Sequence, residues 1–178
     1  MIEPVDMARV VFDPLPMLTA LADGGVEFVV IGGIAALLHG DDAGTSDVDA
    51  TVRRTGQNLA LLADVLARLD ARLLVAVNDA EQATVDMPIS VETFASLTSA
   101  RFLTRYGVLD VVLHPDGIPD FDDWSANAST IDVGQQTFVP VAALSDVIRS
   151  KEAAGRPKDA AALPRLRALR KLGERSST

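Results

Sequence analysis

Residues 26–52 read VEFVVIGGIAALLHGDDAGTSDVDATV, and this stretch decides the fold. The β-branched and aromatic run of residues 26–31 predicts a buried strand. The pair Gly32-Gly33 then turns the chain into a short apolar helix over residues 34–38. Residues 46–52 alternate polar and apolar side chains with the period of a strand. The stretch therefore predicts two strands joined through a glycine turn and a helix.

Two carboxylates stand on the second of these strands. Asp47 and Asp49 are separated by one residue, so an extended backbone places both on one face, roughly 7 Å apart at Cα. Like charges this close repel and need a positive group between them. Oxygen ligands in a chain with no cysteine and two histidines favour Mg²⁺ or Mn²⁺ over zinc. An acidic turn facing water is the alternative for an isolated Asp-x-Asp.

Two further charges interrupt apolar patterns. Asp110 stands in the run VLDVVL of residues 108–113, where a buried carboxylate needs a metal ion or another cation. The alternative is a sheet-edge position at which Asp110 meets water, Arg101 or Arg105. Lys151 continues the apolar face of its helix, which predicts an inward contact with a carboxylate or a phosphate, or a stem that reaches solvent at the helix end.

The remaining pattern predicts alternating helices and strands. Helices are expected over residues 14–23, 55–70, 91–97, 144–154 and 158–172, the last disturbed by Pro164, and strands over residues 72–77, 100–105 and 108–114. The rest of residues 78–99 is predicted as loop, and residues 130–139 as a strand or hairpin. We expect one α/β (α+β) domain over residues 1–178, with a partly mixed sheet, a core of about 14–140 and a helical, basic segment at 141–178.

The composition excludes several classes of protein. With 48% hydrophobic residues the chain is not a disordered acidic protein. The longest apolar stretch, residues 28–38, is too short to span a bilayer, so no membrane association is expected. Glu3 and Asp6 precede any apolar run, which predicts no secretory signal and a cytoplasmic location. The absence of cysteine excludes a disulfide framework.

The net charge of −9 hides an uneven distribution. Residues 149–178 carry nine Lys or Arg against three acids, whereas residues 1–148 carry seven against 22. The basic group Arg165, Arg167, Arg170 and Lys171 is either a solvated helix face or a surface for a phosphate backbone. The average charge therefore does not exclude a nucleic acid partner.

Together these stretches resemble the DNA polymerase β-like nucleotidyltransferase superfamily. Within it, the chain is most similar to the abortive-infection-type nucleotidyltransferase toxins and their uncharacterised bacterial relatives. The matching stretches are VVIGGIAA (29–36) with HG (39–40), TSDVD (45–49), GVLD (107–110) and SKEAAGRPKD (150–159). The resemblance implies a mixed β-sheet flanked by helices, with a C-terminal helical segment.

The resemblance also implies catalytic and metal-binding residues. Asp47 and Asp49 would bind the metal ions, Mg²⁺ or Mn²⁺, that carry a nucleoside triphosphate (NTP). Asp110 would ligate the second metal and activate the acceptor hydroxyl. Lys151 would bind phosphate, and Asp159 matches the acid of the last motif, so both belong to the implied catalytic group.

The same resemblance implies a nucleotide-binding group. Gly32, Gly33 and Ser46 would contact the triphosphate, together with Lys151. Thr45 belongs to this group and is expected to shape the turn before the metal-binding strand.

The implied activity is transfer of a nucleoside monophosphate from an NTP to an acceptor hydroxyl. The tRNA 3′ end is the implied acceptor, bound through the basic C-terminal segment, and the chain would be a toxin with a cognate antitoxin. A small molecule or protein acceptor, or a non-catalytic nucleotide- or partner-binding module, are the alternatives. The subfamily has an arginine where this chain has Ala43, which puts activity in doubt unless another residue such as Arg53 substitutes.

Overall fold

A mixed sheet of nine strands organises the chain in the computed structural model, which describes residues 1–78, 81–95 and 97–176. The strands are β1 (Ile2–Val5), β2 (Phe28–Ile31), β3 (Asp47–Val52), β4 (Arg72–Ala76), β5 (Gln82–Val85), β6 (Ser99–Thr104), β7 (Gly107–Val112), β8 (Ser129–Asp132) and β9 (Phe138–Val141). Their order in the sheet is β1-β5-β4-β6-β7-β3-β2-β9-β8. The β3–β7 and β2–β9 pairs are parallel and the others antiparallel, which confirms the mixed sheet.

Helices pack against this sheet. They are α1 (Pro14–Asp23), α2 (Gly32–Leu38), α3 (Gly56–Arg68), α4 (Val91–Phe94), α5 (Phe121–Asn127), α6 (Leu144–Ala154) and α7 (Pro157–Ser176). None of the helices in the described ranges combines the length and apolar composition needed to cross a membrane.

The alternation predicted for β3 is present. Val48, Ala50 and Val52 are almost fully buried in the core. Because successive side chains of a strand point to opposite faces, Asp47 and Asp49 face away from that core. Strand β3 lies between β7 and β2, near the middle of the sheet. The buried half of the strand thus fixes both carboxylates on a central, well-anchored element.

The locally patterned helices lie where the sequence predicts them. The hydroxyl of Thr55 accepts the backbone N–H of Asn58 at 3.3 Å and caps α3. Leu59, Leu62 and Leu66 follow at helical spacing and are buried. Helices α1 and α6 have the predicted bounds.

The structure corrects the sequence prediction at several elements. Strand β1 was not predicted, and β5 lies inside the segment predicted as loop. Helix α5 was not predicted as an element, and α4 is shorter than 91–97, a range whose residue 96 lies outside the described residues. The strand or hairpin predicted at 130–139 is the β8–β9 hairpin.

The last helix is longer and less disturbed than the sequence suggests. Helix α7 begins at Pro157 and continues through Pro164 to Ser176. Leu166, two residues after Pro164, is 0% exposed and anchors the helix in the core. Tertiary packing therefore outweighs the lost backbone hydrogen bond and the steric conflict of an internal proline.

Candidate active site

Three carboxylates meet on the solvent-facing side of the central strands. In the parallel β3–β7 pair, Asp49 lies directly opposite Asp110. Asp47 is two residues earlier on β3 and points to the same face. One oxygen from each of the three side chains lies within 4.8 Å of the others. We call these three residues the aspartate triad.

The donor set of the triad fits a hard divalent cation. It offers carboxylate oxygens alone, the ligands that Mg²⁺ and Mn²⁺ prefer. Three formal negative charges within so small a volume repel one another unless a cation lies between them. The predicted metal-binding residues Asp47, Asp49 and Asp110 are thus brought together by the fold.

The electrostatics of the triad show a deficit of positive charge. Burial, together with the charges of Asp47 and Asp110, raises the pKa of Asp49 to about 6 against the opposing effects of the Gly33 N–H and Lys158. Burial also raises the pKa of Asp110, and the guanidinium of Arg101 partly offsets this increase. A bound cation would lower the pKa of both groups.

Metal binding should accordingly depend on pH. Below about pH 6 Asp49 holds a proton that a metal ion must displace, so metal affinity rises as pH increases through this value. We expect Mn²⁺ to raise the unfolding midpoint more at about pH 7.5 than at about pH 5. Thermal unfolding with and without Mn²⁺ measures this difference. An equal shift at both pH values would contradict it.

The glycine turn is shaped by the triad. Gly32 has φ +61°, and a Cβ there would overlap Oδ2 of Asp49 and lie 2.6 Å from its Cγ. A Cβ on Gly33 would lie 2.5 Å from Oγ1 of Thr45. The backbone N–H of Gly33 is itself 3.5 Å from Oδ2 of Asp49, at the limit of a hydrogen bond. The turn therefore needs glycine so that its backbone can approach these side chains.

Thr45 orients one member of the triad. Its hydroxyl donates to Oδ1 of Asp47 at 3.0 Å and lies 3.2 Å from the Asp47 carbonyl. Ser46, between them in the chain, is exposed. Thr45 thus holds the Asp47 side chain in place from the turn before β3.

Lys151 points inward and meets a carboxylate. Its Nζ donates to Oδ1 of Asp159 at 2.9 Å, and Asp159 is 2% exposed. On the other side, Nε of Arg156 lies 3.0 Å from Oδ2 of Asp159. One buried carboxylate therefore holds two cations of the α6–α7 junction in place, which agrees with the inward contact expected for Lys151.

A cleft of about 440 Å³ joins the triad to this junction. Its lining includes Gly32, Asp49, Asp110, Lys151 and Asp159 among the predicted site residues. The lining cations that the sequence did not assign to the site are Arg101, Arg156 and Lys158. The register of β6 with β7 brings Arg101 to the cleft, and the α6–α7 junction brings the other two cations. In the sequence, Arg101 was considered only as a partner of Asp110.

Arg101 is in fact that partner. Its Nε donates to Oδ1 of Asp110 at 2.9 Å, and its Nη2 lies 3.7 Å from Oδ2 of Asp47. The expected arginine contact of Asp110 is therefore present, but β7 lies between β6 and β3 and not at the sheet edge. Metal binding by Asp110 stays a prediction.

Arg53, considered as a substitute for the arginine missing at Ala43, has other partners in the structure. Arg53 follows the far end of β3 and pairs with Glu27 at 2.5 Å and with Asp122 at 2.8 Å. Its guanidinium also stacks over the ring of Phe121, 4.7 Å from the centroid. Arg53 thus has carboxylate and aromatic partners at the end of β3 away from Asp47, and its substitution for the missing arginine stays a prediction.

The acidic loop before β3 has a different cationic partner. Asp41 is buried and forms a two-point ion pair with Arg165 of α7, in which Nη2 donates to Oδ2 at 3.1 Å. The hydrogen bonds from Arg165 hold the pKa of Asp41 below its usual range. Asp42 lies 3.7 Å from the same arginine. Helix α7 thus ties down the loop that leads to Thr45.

Other cations of α7 also pair with carboxylates. Arg167 contacts Glu152 at 2.7 Å, and Arg170 lies 3.5 Å from Glu174. Together with Arg165, three of the four members of the predicted basic group have acidic partners. The positive charge of this basic group is therefore partly balanced by neighbouring carboxylates.

The folded chain is similar to solved nucleotidyltransferase structures. A candidate nucleotidyltransferase from Thermotoga maritima matches 90% of this chain and 97% of its own, with TM-score 0.54 and 12% identity. An antigenic nucleotidyltransferase-like protein from Paracoccidioides brasiliensis matches 95% and 78%, with TM-score 0.52 and 14% identity. The chain has the nucleotidyltransferase fold.

These matches confirm the fold that was predicted from the sequence, a mixed sheet flanked by helices. No protein-family model matches the sequence, and no curated protein matches it at a significant level. Since the identities are low, the likeness lies in the arrangement of the backbone. A shared fold does not determine substrate or acceptor, which depend on the residues of the site.

Proposed function

We propose that the chain is a metal-dependent nucleotidyltransferase, which moves a nucleoside monophosphate from an NTP to an acceptor hydroxyl. The observation that carries the proposal is the aspartate triad, whose oxygens lie within 4.8 Å of one another at the edge of a cation-lined cleft. Nucleotidyl transfer develops charge on the attacking and leaving oxygens, which needs positive charge held close by.

The triad and its neighbours have distinct roles in this proposal. Asp47 and Asp49, together with Asp110, would hold the divalent cations, which would supply Lewis acidity to the phosphate oxygens. Thr45 keeps Asp47 in position. Asp110 orients the acceptor hydroxyl, whose oxygen bonds to the α-phosphorus as its proton leaves to Asp110 or water. The bond from the α-phosphorus to the bridging oxygen breaks, and pyrophosphate departs.

The cations at the α6–α7 junction suit the triphosphate. Lys151 lines the cleft, and Asp159 fixes its ammonium without using all three N–H donors. Lys158 lies close enough to lower the pKa of Asp49 and also lines the cleft. These side chains can offset charge on the leaving phosphates, with Gly32, Gly33 and Ser46 completing the proposed nucleotide-binding group.

We propose an RNA 3′ end, first of all that of tRNA, as the acceptor. The support is the basic C-terminal segment, in which Arg149, Lys171 and Arg175 are exposed. The acidic partners of the other α7 arginines restrict the surface that can meet a phosphate backbone. The proposal includes a role as a toxin with a cognate antitoxin, which a dependence of growth arrest on Asp47 would support.

A cationic small molecule or a protein hydroxyl is the second candidate for the acceptor. Residues 1–148 carry 22 acids against seven bases, which favours a cationic small molecule or a protein hydroxyl. A non-catalytic module of the same fold is the third, and it would bind no NTP in the presence of metal.

Labelling separates these candidates. The full chain is incubated with each α-labelled NTP, Mg²⁺ or Mn²⁺, and total tRNA, and both RNA label and pyrophosphate are measured. We expect equal amounts of RNA label and pyrophosphate from the wild type, less RNA label at high salt, and neither product from Asp47→Ala.

Asp64→Asn, an exposed site on α3, is the matched control and should keep full activity. Pyrophosphate without RNA label would exclude the RNA acceptor, and loss of metal-dependent NTP binding would exclude the enzyme.

A further inference from the structure

Arg101 belongs to the same row of the sheet as the triad. In the antiparallel β6–β7 pair it lies directly opposite Asp110, which lies opposite Asp49 on the next strand. Its strand neighbours Ala100 and Phe102 are 5% and 0% exposed, so alternation turns Arg101 to the opposite face. The register therefore places one guanidinium beside the carboxylates on the side of the cleft.

The contacts of Arg101 compensate two carboxylates at once. Nε donates to Asp110 at 2.9 Å while Nη2 lies 3.7 Å from Asp47. The side chain is 41% exposed, so charge rather than close packing holds it there. A guanidinium on a flexible stem can leave such a position without disrupting the core.

We infer that Arg101 is a displaceable internal cation of the triad, which makes metal binding depend on nucleotide binding. The guanidinium donates to Oδ1 of Asp110, so a metal ion that binds this carboxylate competes with Arg101 for its negative charge. Phosphates in the cleft give the displaced guanidinium a new acceptor. Arg101 is thus a positioning residue that acts through Asp110 and Asp47.

This role couples two ligands. Without nucleotide, moving Arg101 costs its ion pairs, which weakens metal binding. Bound nucleotide offsets that cost and so increases the affinity for metal. By thermodynamic linkage, bound metal increases the affinity for nucleotide by the same factor. The competition between Arg101 and metal stands independently of catalysis, whereas the coupling rests on the proposed function because NTP is its second ligand.

The competition is tested with Mn²⁺ alone. Isothermal titration of the full-length wild type and Arg101→Gln should show Mn²⁺ binding about tenfold tighter to the variant. The matched control is Arg105→Gln, since Arg105 is 48% exposed and pairs with Asp70 outside the cleft. Its affinity should equal that of the wild type. Unchanged or weaker binding to Arg101→Gln, as expected of a purely structural residue, would overturn the inference.

The coupling is tested by repeating the titration with a non-hydrolysable NTP analogue. The analogue should increase Mn²⁺ affinity more in the wild type than in Arg101→Gln, by about tenfold. An equal gain in both would overturn the coupling. If the wild type transfers no nucleotide but the variant still binds Mn²⁺ more tightly, the proposed function fails and the competition is upheld.

A second variant covers the case in which Arg101→Gln does not fold. Arg101→Lys keeps the positive charge but replaces the planar guanidinium with a compact ammonium on a shorter side chain. The lysine therefore competes less well for two carboxylates. Its Mn²⁺ affinity should be about threefold higher than that of the wild type. An affinity equal to or below the wild-type value would count against Arg101 as an internal cation.

Discussion

Asp49→Asn should lower the rate of nucleotidyl transfer by about 10³-fold or more while increasing the stability of the metal-free protein. The amide has nearly the shape of the carboxylate, but it removes one charge from the triad that holds the metal. A loss of charge stabilisation this close to the reacting phosphate costs several powers of ten in rate. Mn²⁺ affinity should fall together with the rate.

The opposite effect on stability follows from the raised pKa of Asp49. At neutral pH the folded protein holds this carboxylate ionised although its pKa is about 6, compared with an ordinary value of 3.8. The carboxyl group ionises at lower pH in the unfolded chain than in the folded protein. The free energy of unfolding therefore falls as pH rises from 3.8 through about 6. A neutral amide removes that cost, which is worth roughly 1–3 kcal/mol at neutral pH.

Two measurements on one variant thus separate catalysis from folding. Radiolabel transfer reports the rate, and urea or thermal unfolding without metal reports the free energy of unfolding. Asp64→Asn carries the same chemical change at an exposed site and should alter neither. Activity within tenfold of the wild type, or a less stable metal-free protein, would contradict the assignment of Asp49 to the triad.

The sequence was sufficient for the parts of the site that depend on local pattern. Alternation along β3 predicts that Asp47 and Asp49 share a face, and burial of Val48 and Ala50 on the other face makes that arrangement obligatory. Helical spacing likewise predicts that Lys151 points inward. These inferences need only the periodicity of one element.

The parts that were missed or left open depend on register and distant contacts. The sequence offered both Arg101 and Arg105 as partners of Asp110, and only the register of β6 with β7, which no local pattern specifies, selects Arg101. The ion pair between Arg165 and Asp41 joins positions 124 residues apart. Charge alone suggested a basic surface for α7, whereas the fold places acidic partners beside Arg165 and its neighbours.

The short strands β1 and β5 could not be predicted from local sequence for the same reason. Strand β1 has four residues, and its pairing with β5 joins residues 2–5 to residues 82–85. Each strand alone is too short to give a clear alternation, and their hydrogen-bonded ladder is stable only beside β4. The tertiary contact, not the segment, defines these strands.

Gly32→Ala should have the second large effect, through the geometry of Asp49. Gly32 has φ +61°, which costs an alanine about 1–2 kcal/mol by itself. A Cβ there would also overlap Oδ2 of Asp49 and lie 2.8 Å from its Cβ, so rotation of the carboxylate alone does not relieve the contact. The β2–α2 turn and β3 must move apart.

Such a movement displaces a metal ligand. Because misplacement of a catalytic group by about 1 Å can cost 10²-fold in rate, we expect transfer by Gly32→Ala to fall by about that factor or more. Mn²⁺ affinity should fall as well, since the triad would no longer bring its oxygens together. Transfer assays and Mn²⁺ titration measure the two losses.

Gly25→Ala distinguishes this steric effect from backbone strain. Gly25 has φ +68°, close to that of Gly32, but a Cβ at Gly25 would meet no heavy atom within 4 Å. It should therefore lose a similar amount of stability from φ alone while keeping wild-type transfer and Mn²⁺ affinity. If both variants kept activity, the turn would not position Asp49. If both lost it equally, general destabilisation rather than the contact with Asp49 would be the cause.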